Sequence, residues 1–260
     1  MEIRQPADAA RCKSVADAQL ERAVIASRSP GVHARAMVPV DNSGLGAEMD
    51  VRRWLPLSGV VFVVLALVAV IGLGGDTPES NAPGSEVLSF YDDNEVRQAI
   101  GAFVFVASLP FLVAFAACLV SATRSAGRQA VWEYLLVGGS FVTAAVLAII
   151  SAVIFAKTDG ATNDASPEAL QALNLIDGNG WVAFNGGLGI MMLGAAGSLL
   201  ALAGSYRWLG RTALVLGIAL FIPFADFVAL VLTLIWIIVA SIVLFRDAEP
   251  ATQVVVTSTG

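Results

Sequence analysis

Histidine is almost missing from this chain, and most hydrolytic chemistry goes with it. The single histidine, His33, lies in a polar stretch near the start. Neither an HExxH zinc site nor a Ser-His pair can therefore be assembled elsewhere. Cysteine is nearly as scarce. Cys12 and Cys118 form no CxxC pattern and have no histidine nearby, which excludes a disulfide framework and a zinc-binding cysteine cluster. No GxxxxGK[ST] run is present, and "GGLGIMMLG" (186–194) lacks the spacing and strand context of a dinucleotide fingerprint. An aspartyl intramembrane protease needs two acids sharing a proton, and only Asp226 lies within an apolar run. No DNA-binding signature occurs. The chain thus points to no catalytic residues, cofactor, metal or nucleic-acid partner.

Charge is also short, at 14% of residues against about 25% in soluble proteins. What fills the space is apolar: 57% hydrophobic residues and a mean hydropathy of +0.77. Runs with little or no charge cover Trp54–Gly75, Ala99–Thr123, Leu135–Ala156, Trp181–Ser205 and Thr212–Phe245. Each exceeds the roughly 18 residues that suggest a membrane-spanning helix. Backbone polar groups in lipid must be satisfied within the segment, so helices are expected. Lysine is rare (Lys13 and Lys157) beside thirteen arginines, and with abundant Ala, Gly and Val this is the usage of a high-GC bacterial genome.

The last run is too long for one crossing. Its 34 residues would make a helix of about 51 Å against a hydrocarbon core of about 30 Å. Tilt alone would have to reach about 54°, beyond the usual range. Pro223 removes a backbone donor, and Asp226 can cap a new helix. The sequence therefore predicts a hairpin break at Pro223, and an all-α six-span bundle with a short fifth span. The spans fall at about 54–75, 99–123, 135–156, 181–205, 208–222 and 227–245. With six spans, Arg52, Arg53, Arg124, Arg128, Arg207, Arg211 and Arg246 share one side, while loops 76–98 and 157–180 hold ten acids against Arg97 and Lys157. By the excess of basic residues in cytoplasmic loops, both termini are cytoplasmic in a bacterial plasma membrane, with residues 247–260 as a cytoplasmic tail. Trp54, Trp132, Trp181 and Trp208 stand at span starts, as interfacial anchors do, and Trp236 is the exception.

Residues 1–48 carry six basic and six acidic side chains and no apolar core of a signal peptide. They read either as upstream sequence, with Met49 of "MDVRRWLPL" as the start, or as a disordered cytosolic tail. Residues 49–246 form the membrane domain.

Helices associate in lipid through small side chains. Ser140, Ala144, Ala148, Ala152 and Ala156 recur every four residues in the third span, and Gly197, Ala201 and Ser205 do so in the fourth; these are expected to be contact ridges. Pro110 should kink the second span. In the loops, Asp92, Asp93 and Glu95 lack the spacing of a calcium site. Asp93 or Asn94 could cap the second span, and Asp93 could pair with Arg97 at i,i+4. Ser166-Pro167-Glu168 signals the start of a short helix, with Leu170, Leu173 and Ile176 on one face. Three polar residues are weak candidates for a transport role: Asp226, expected to be a cap near water; Asn185, able to bond across helices; and Glu133, expected to pair with Arg128 or Arg211.

The stretch "SYRWLGRTALVLGIALFIPF" (205–224), the last span, and "ALNLIDGNGWVAFNGG" (172–187) resemble a widespread class of actinobacterial polytopic integral membrane proteins, domains of unknown function. The likeness covers roughly residues 50–246 as hydropathy and loop pattern, and the leader departs from it. It implies a bundle without assigned catalytic residues. Two functions fit: a non-enzymatic membrane protein acting through a membrane partner or a second copy, or a small transporter or channel using the broken fifth and sixth spans.

Overall fold

A computed structural model describes residues 53–124, 130–202 and 204–247. The leader with Cys12, His33 and Met49, residues Arg52 and Arg128, and the tail beyond 247 lie outside the described residues. Those described form seven helices, a 3-10 turn at Gly204–Tyr206, and no strand. They are α1 (Leu55–Gly74), α2 (Gly84–Asp93), α3 (Glu95–Arg124), α4 (Ala130–Thr162), α5 (Pro167–Leu200), α6 (Arg207–Ala219) and α7 (Asp226–Asp247). Five of these, α1, α3, α4, α5 and α7, are long and apolar enough to cross a membrane. At 13 residues, about 20 Å, α6 is not; it occupies the place of the expected short fifth span but ends at Ala219, three residues before the expected Ile222.

The antiparallel pair α4 and α5 meets backbone to backbone at several glycines. Leu136 lies against Gly194, Gly139 against Met191, Thr143 against Gly187, Ile150 against Gly180, and Trp132 against Gly197. Positions 136, 143, 150 and 157 advance by sevens against 194, 187 and 180. This is the heptad stepping of a left-handed pair, with glycine letting the backbones approach. The ridge is offset from the Ser140 series. Ser140 is buried, Ala144 and Ala148 are half-buried, and Ala152 and Ala156 are exposed, because the seam drifts off a strict four-residue row. Gly197 meets the Trp132 ring. Ala201 is the C-cap of α5 and half-buried, so the second expected ridge ends where the helix ends.

One correction follows from helix continuity. Ser166 does cap a helix, its hydroxyl accepting from Ala169 N at 3.3 Å with Pro167 at the first position. That helix is α5 itself, which runs on through Gly178 and Gly180 to Leu200. The expected short surface helix does not exist separately, and Ile176 points outward while Leu170 is buried. α3 carries Pro110 within its length and continues to Arg124.

The first and last described residues and most of the described arginines gather at one end of the bundle. The Trp54 and Phe245 rings lie 5.3 Å apart, the Arg53 guanidinium sits 5.8 Å from the Phe245 ring, and Tyr206 donates to Asp247. Arg124 pairs with Glu133 there too. Because Tyr206 immediately precedes α6 and Asp247 closes α7, the α6–α7 hairpin returns to the end it left. Its tip spans 220–225, with Phe224 at φ 71° and 98% exposed.

Candidate functional site

Buried polar groups in an apolar bundle mark where the chain does something other than pack. Three of these places hold a buried acid or ammonium among the described residues, and each is built by a different pair of helices.

The first is a clasp at the end opposite the arginines. Lys157 continues the α4 seam one heptad beyond Ile150, so its side chain must enter the α4–α5 interface. α5 meets it with Asn174 and Asp177, one turn apart. Lys157 Nζ donates to Asp177 Oδ2 at 2.6 Å and to Asn174 Oδ1 at 3.2 Å, and lies 4.6 Å from the centre of the Tyr91 ring. The lysine is 0% exposed. Asn174 in turn donates from Nδ2 to the Glu79 carbonyl at 2.8 Å, fastening the segment before α2. α2 closes the top, with Val87 and Tyr91 packed on Ala82, Ala161 and Leu170 in a second small core. Burial, with the Asp177 charge adding to it, pushes the Tyr91 hydroxyl well above the ordinary phenol range. The segments read as two acidic loops are therefore a folded cap.

Two other loop expectations change. Arg97 does not pair with Asp93. It donates to the carbonyls of Leu73 at 2.9 Å and Gly74 at 3.1 Å, and buried Gln98 reaches the Gly74 carbonyl at 2.8 Å. Both supply donors to the open C-terminus of α1, where bare carbonyls attract a cation. Asn94 caps the end of α2 by donating to the Phe90 carbonyl at 2.9 Å, since the break between α2 and α3 falls at that residue.

The second place joins two of the three weak candidates. Asn185 on α5 and Asp226 at the start of α7 meet inside the bundle, Nδ2 to Oδ2 at 3.4 Å. Asp226 Oδ1 also accepts from the Phe227 amide at 2.9 Å, so the acid serves its helix start. It is 6% exposed rather than open to solvent, and Asn185 is 3% exposed. The Asn185 Oδ1 atom is buried and has no hydrogen-bond partner, the costly condition for a polar atom.

The third candidate, Glu133, is buried and bonded to Arg124 at 2.8 Å. α3 reaches Arg124 and α4 begins at Ala130, so this arginine, and not Arg211, stands beside it. Tyr206 at the same end has its hydroxyl pushed up to about 12 by burial and by its bond to Asp247.

Lys157, Tyr91, Asn174, Asp177 and Gln98 are absent from the sequence expectations. One signal was available: the only lysine in an arginine-rich membrane region falls on the heptad register of its own helix. Among the described residues no cluster of three His, Cys, Asp or Glu is arranged to hold a metal. Comparison with protein-family models, curated proteins and solved structures finds no match to this chain.

Proposed function

We propose that this chain is a non-enzymatic, multi-pass protein of a bacterial plasma membrane, of the actinobacterial class it resembles, working through association with a membrane partner or a second copy. One observation carries the reading. Each buried carboxylate and ammonium among the described residues is committed to a neighbouring group: Glu133 to Arg124, Lys157 to Asp177, and Asp226 to Asn185 and its own helix start. Groups so tied serve architecture, and the exposed faces remain for contact. The α6–α7 hairpin makes the fifth and sixth crossings, α6 being sheltered by α5 and α7, and both termini lie in the cytoplasm, where arginine-rich loops remain. With Cys12 and Cys118 replaced, a cysteine at Phe224 should label from outside intact cells and one at Asp247 only after permeabilisation. The reverse pattern, or protection of Phe224→Cys from both sides, would remove the six-span reading.

A second reading has one observation of its own. The unpartnered Asn185 Oδ1 beside Asp226, at an interrupted hairpin, is the setting in which small transporters place a site. Proteoliposomes loaded with dyes for protons, sodium and potassium separate the two. No flux above protein-free vesicles supports association, while flux abolished by Asp226→Asn replaces it with transport.

A further inference from the structure

α6 and α7 do not close on each other along their length. From α6 come Trp208, Arg211 and Val215, and from α7 Leu232, Trp236 and Val239, each set at three- and four-residue steps and so on one helix face. They border an outward-facing crevice of about 420 Å³. Cavities of about 300–1,000 Å³ are the size that holds small ligands. The Trp236 indole ties the two walls together at the floor: its Nε1 donates to the Leu209 carbonyl and to Thr212 Oγ1, both at 3.1 Å. Phe115 stands edge-on behind it at 6.4 Å between ring centres. The floor is therefore fixed.

The two ends of the crevice differ. One is wholly apolar. The other carries exposed Arg211, with Arg207 one turn away on α6 and Trp208 alongside, at the end of the bundle where the arginines gather. Neither arginine makes a salt bridge among the described residues. Among the described residues, the acids at that end are already committed, Glu133 to Arg124 and Asp247 to Tyr206. A phosphate has the chemistry to pair with the two arginines instead.

We propose that this crevice is a binding site for one anionic phospholipid, its acyl chain lying between α6 and α7 over Trp236 and its phosphate accepting from Arg211. Guanidinium binds phosphate through paired hydrogen bonds, tryptophan favours the headgroup level, and basic pockets between membrane helices hold anionic headgroups. The lipid completes a hairpin whose first helix is too short to line the bilayer alone. The proposal rests on the membrane reading above.

The test is native mass spectrometry of the whole chain released from detergent containing phosphatidylglycerol or phosphatidylcholine. One phosphatidylglycerol should survive at collision energies that strip phosphatidylcholine. Arg211→Gln should lower its retention about ten-fold, the worth of one charge-assisted hydrogen bond. Val215→Trp and Leu232→Trp, filling the crevice from opposite walls, should abolish it, and Arg246→Gln should leave it unchanged. Equal retention of both lipids, or indifference to both crevice-filling variants, overturns the site. A dimer lost in those variants overturns it in favour of a second copy. Alkaline carbonate extraction is run in parallel: release from membranes sinks the membrane reading itself, whereas membrane retention without lipid selectivity sinks the crevice alone.

Discussion

Adjacent glycines in the central helix pair face opposite ways, and substitution should separate them sharply. A Cβ built on Gly139 would lie 2.6 Å from the Met191 Cα, one on Gly194 2.6 Å from the Leu136 Cα, and one on Gly187 2.8 Å from the Thr143 amide nitrogen. Ordinary contact begins at 3.4 Å, so the Cα atoms alone fall about 0.8 Å short for the first two, and the Met191 and Leu136 amide nitrogens lie closer still. The atoms struck are backbone and cannot rotate away, so α4 and α5 must move apart as rods and loosen every contact along the seam. Overpacking of this kind costs about 1–3 kcal/mol, and Gly139→Ala or Gly194→Ala should fall at the upper end. Gly138 and Gly186 have no atom within 4 Å of an added Cβ. Gly138→Ala and Gly186→Ala should then be neutral or up to about 1 kcal/mol more stable, the helix-propensity gain. Thermal unfolding in detergent, followed by tryptophan fluorescence, reads all four variants. Equal destabilisation of Gly138→Ala and Gly139→Ala would refute the described seam.

The clasp makes an asymmetric prediction. Asp177→Asn strands a fully buried lysine and should cost about 3 kcal/mol, whereas Lys157→Met leaves a carboxylate partly open to water and should cost less; equal losses by thermal unfolding would argue against burial of Lys157. Tyr91 and Tyr206 both have folded values raised above the unfolded phenol. The protonated form is the one favoured by folding, so their contribution is whole below about pH 10 and is lost as pH climbs through the folded values. Ultraviolet titration should find Tyr206 ionising near pH 12, and Tyr206→Phe should remove that step; a normal titration with all tyrosines ionising together would contradict it. Trp236→Phe deletes the donor to Leu209 and Thr212 and should lower stability by about 1–2 kcal/mol, measurable as a shift in unfolding midpoint; no shift would mean the crevice floor is not held by that bond.

Much of the architecture is legible because lipid simplifies the problem. Length and hydropathy locate the five long helices and the turn before Asp226, since few other conformations satisfy a backbone in hydrocarbon. The α4–α5 contact is legible as a pairing through its glycines, yet its register is not. A row of alanines every four residues looks like a seam, but only the long-range fit of Gly187 to Thr143 and Gly194 to Leu136 selects the row that is used. The cap was missed for a related reason. Its polar residues resemble a loop until α4 and α5 are allowed to run past the apolar stretch, and nothing local in "AKTDGATNDASPE" (156–168) reveals that Lys157 turns inward. Asp226 reads as a helix start from its own neighbours, whereas its meeting with Asn185 depends on where α5 stands.

The hairpin also bears on how the chain is made. A helix of 13 residues presents too little apolar length to leave an insertion channel by itself, and its partner α7 emerges later in synthesis. On the six-span reading proposed above, α6 would have to wait at the channel until Trp236 has arrived to bond Leu209 and Thr212. The two helices would then enter the membrane together, and a chain halted between them would leave α6 outside it.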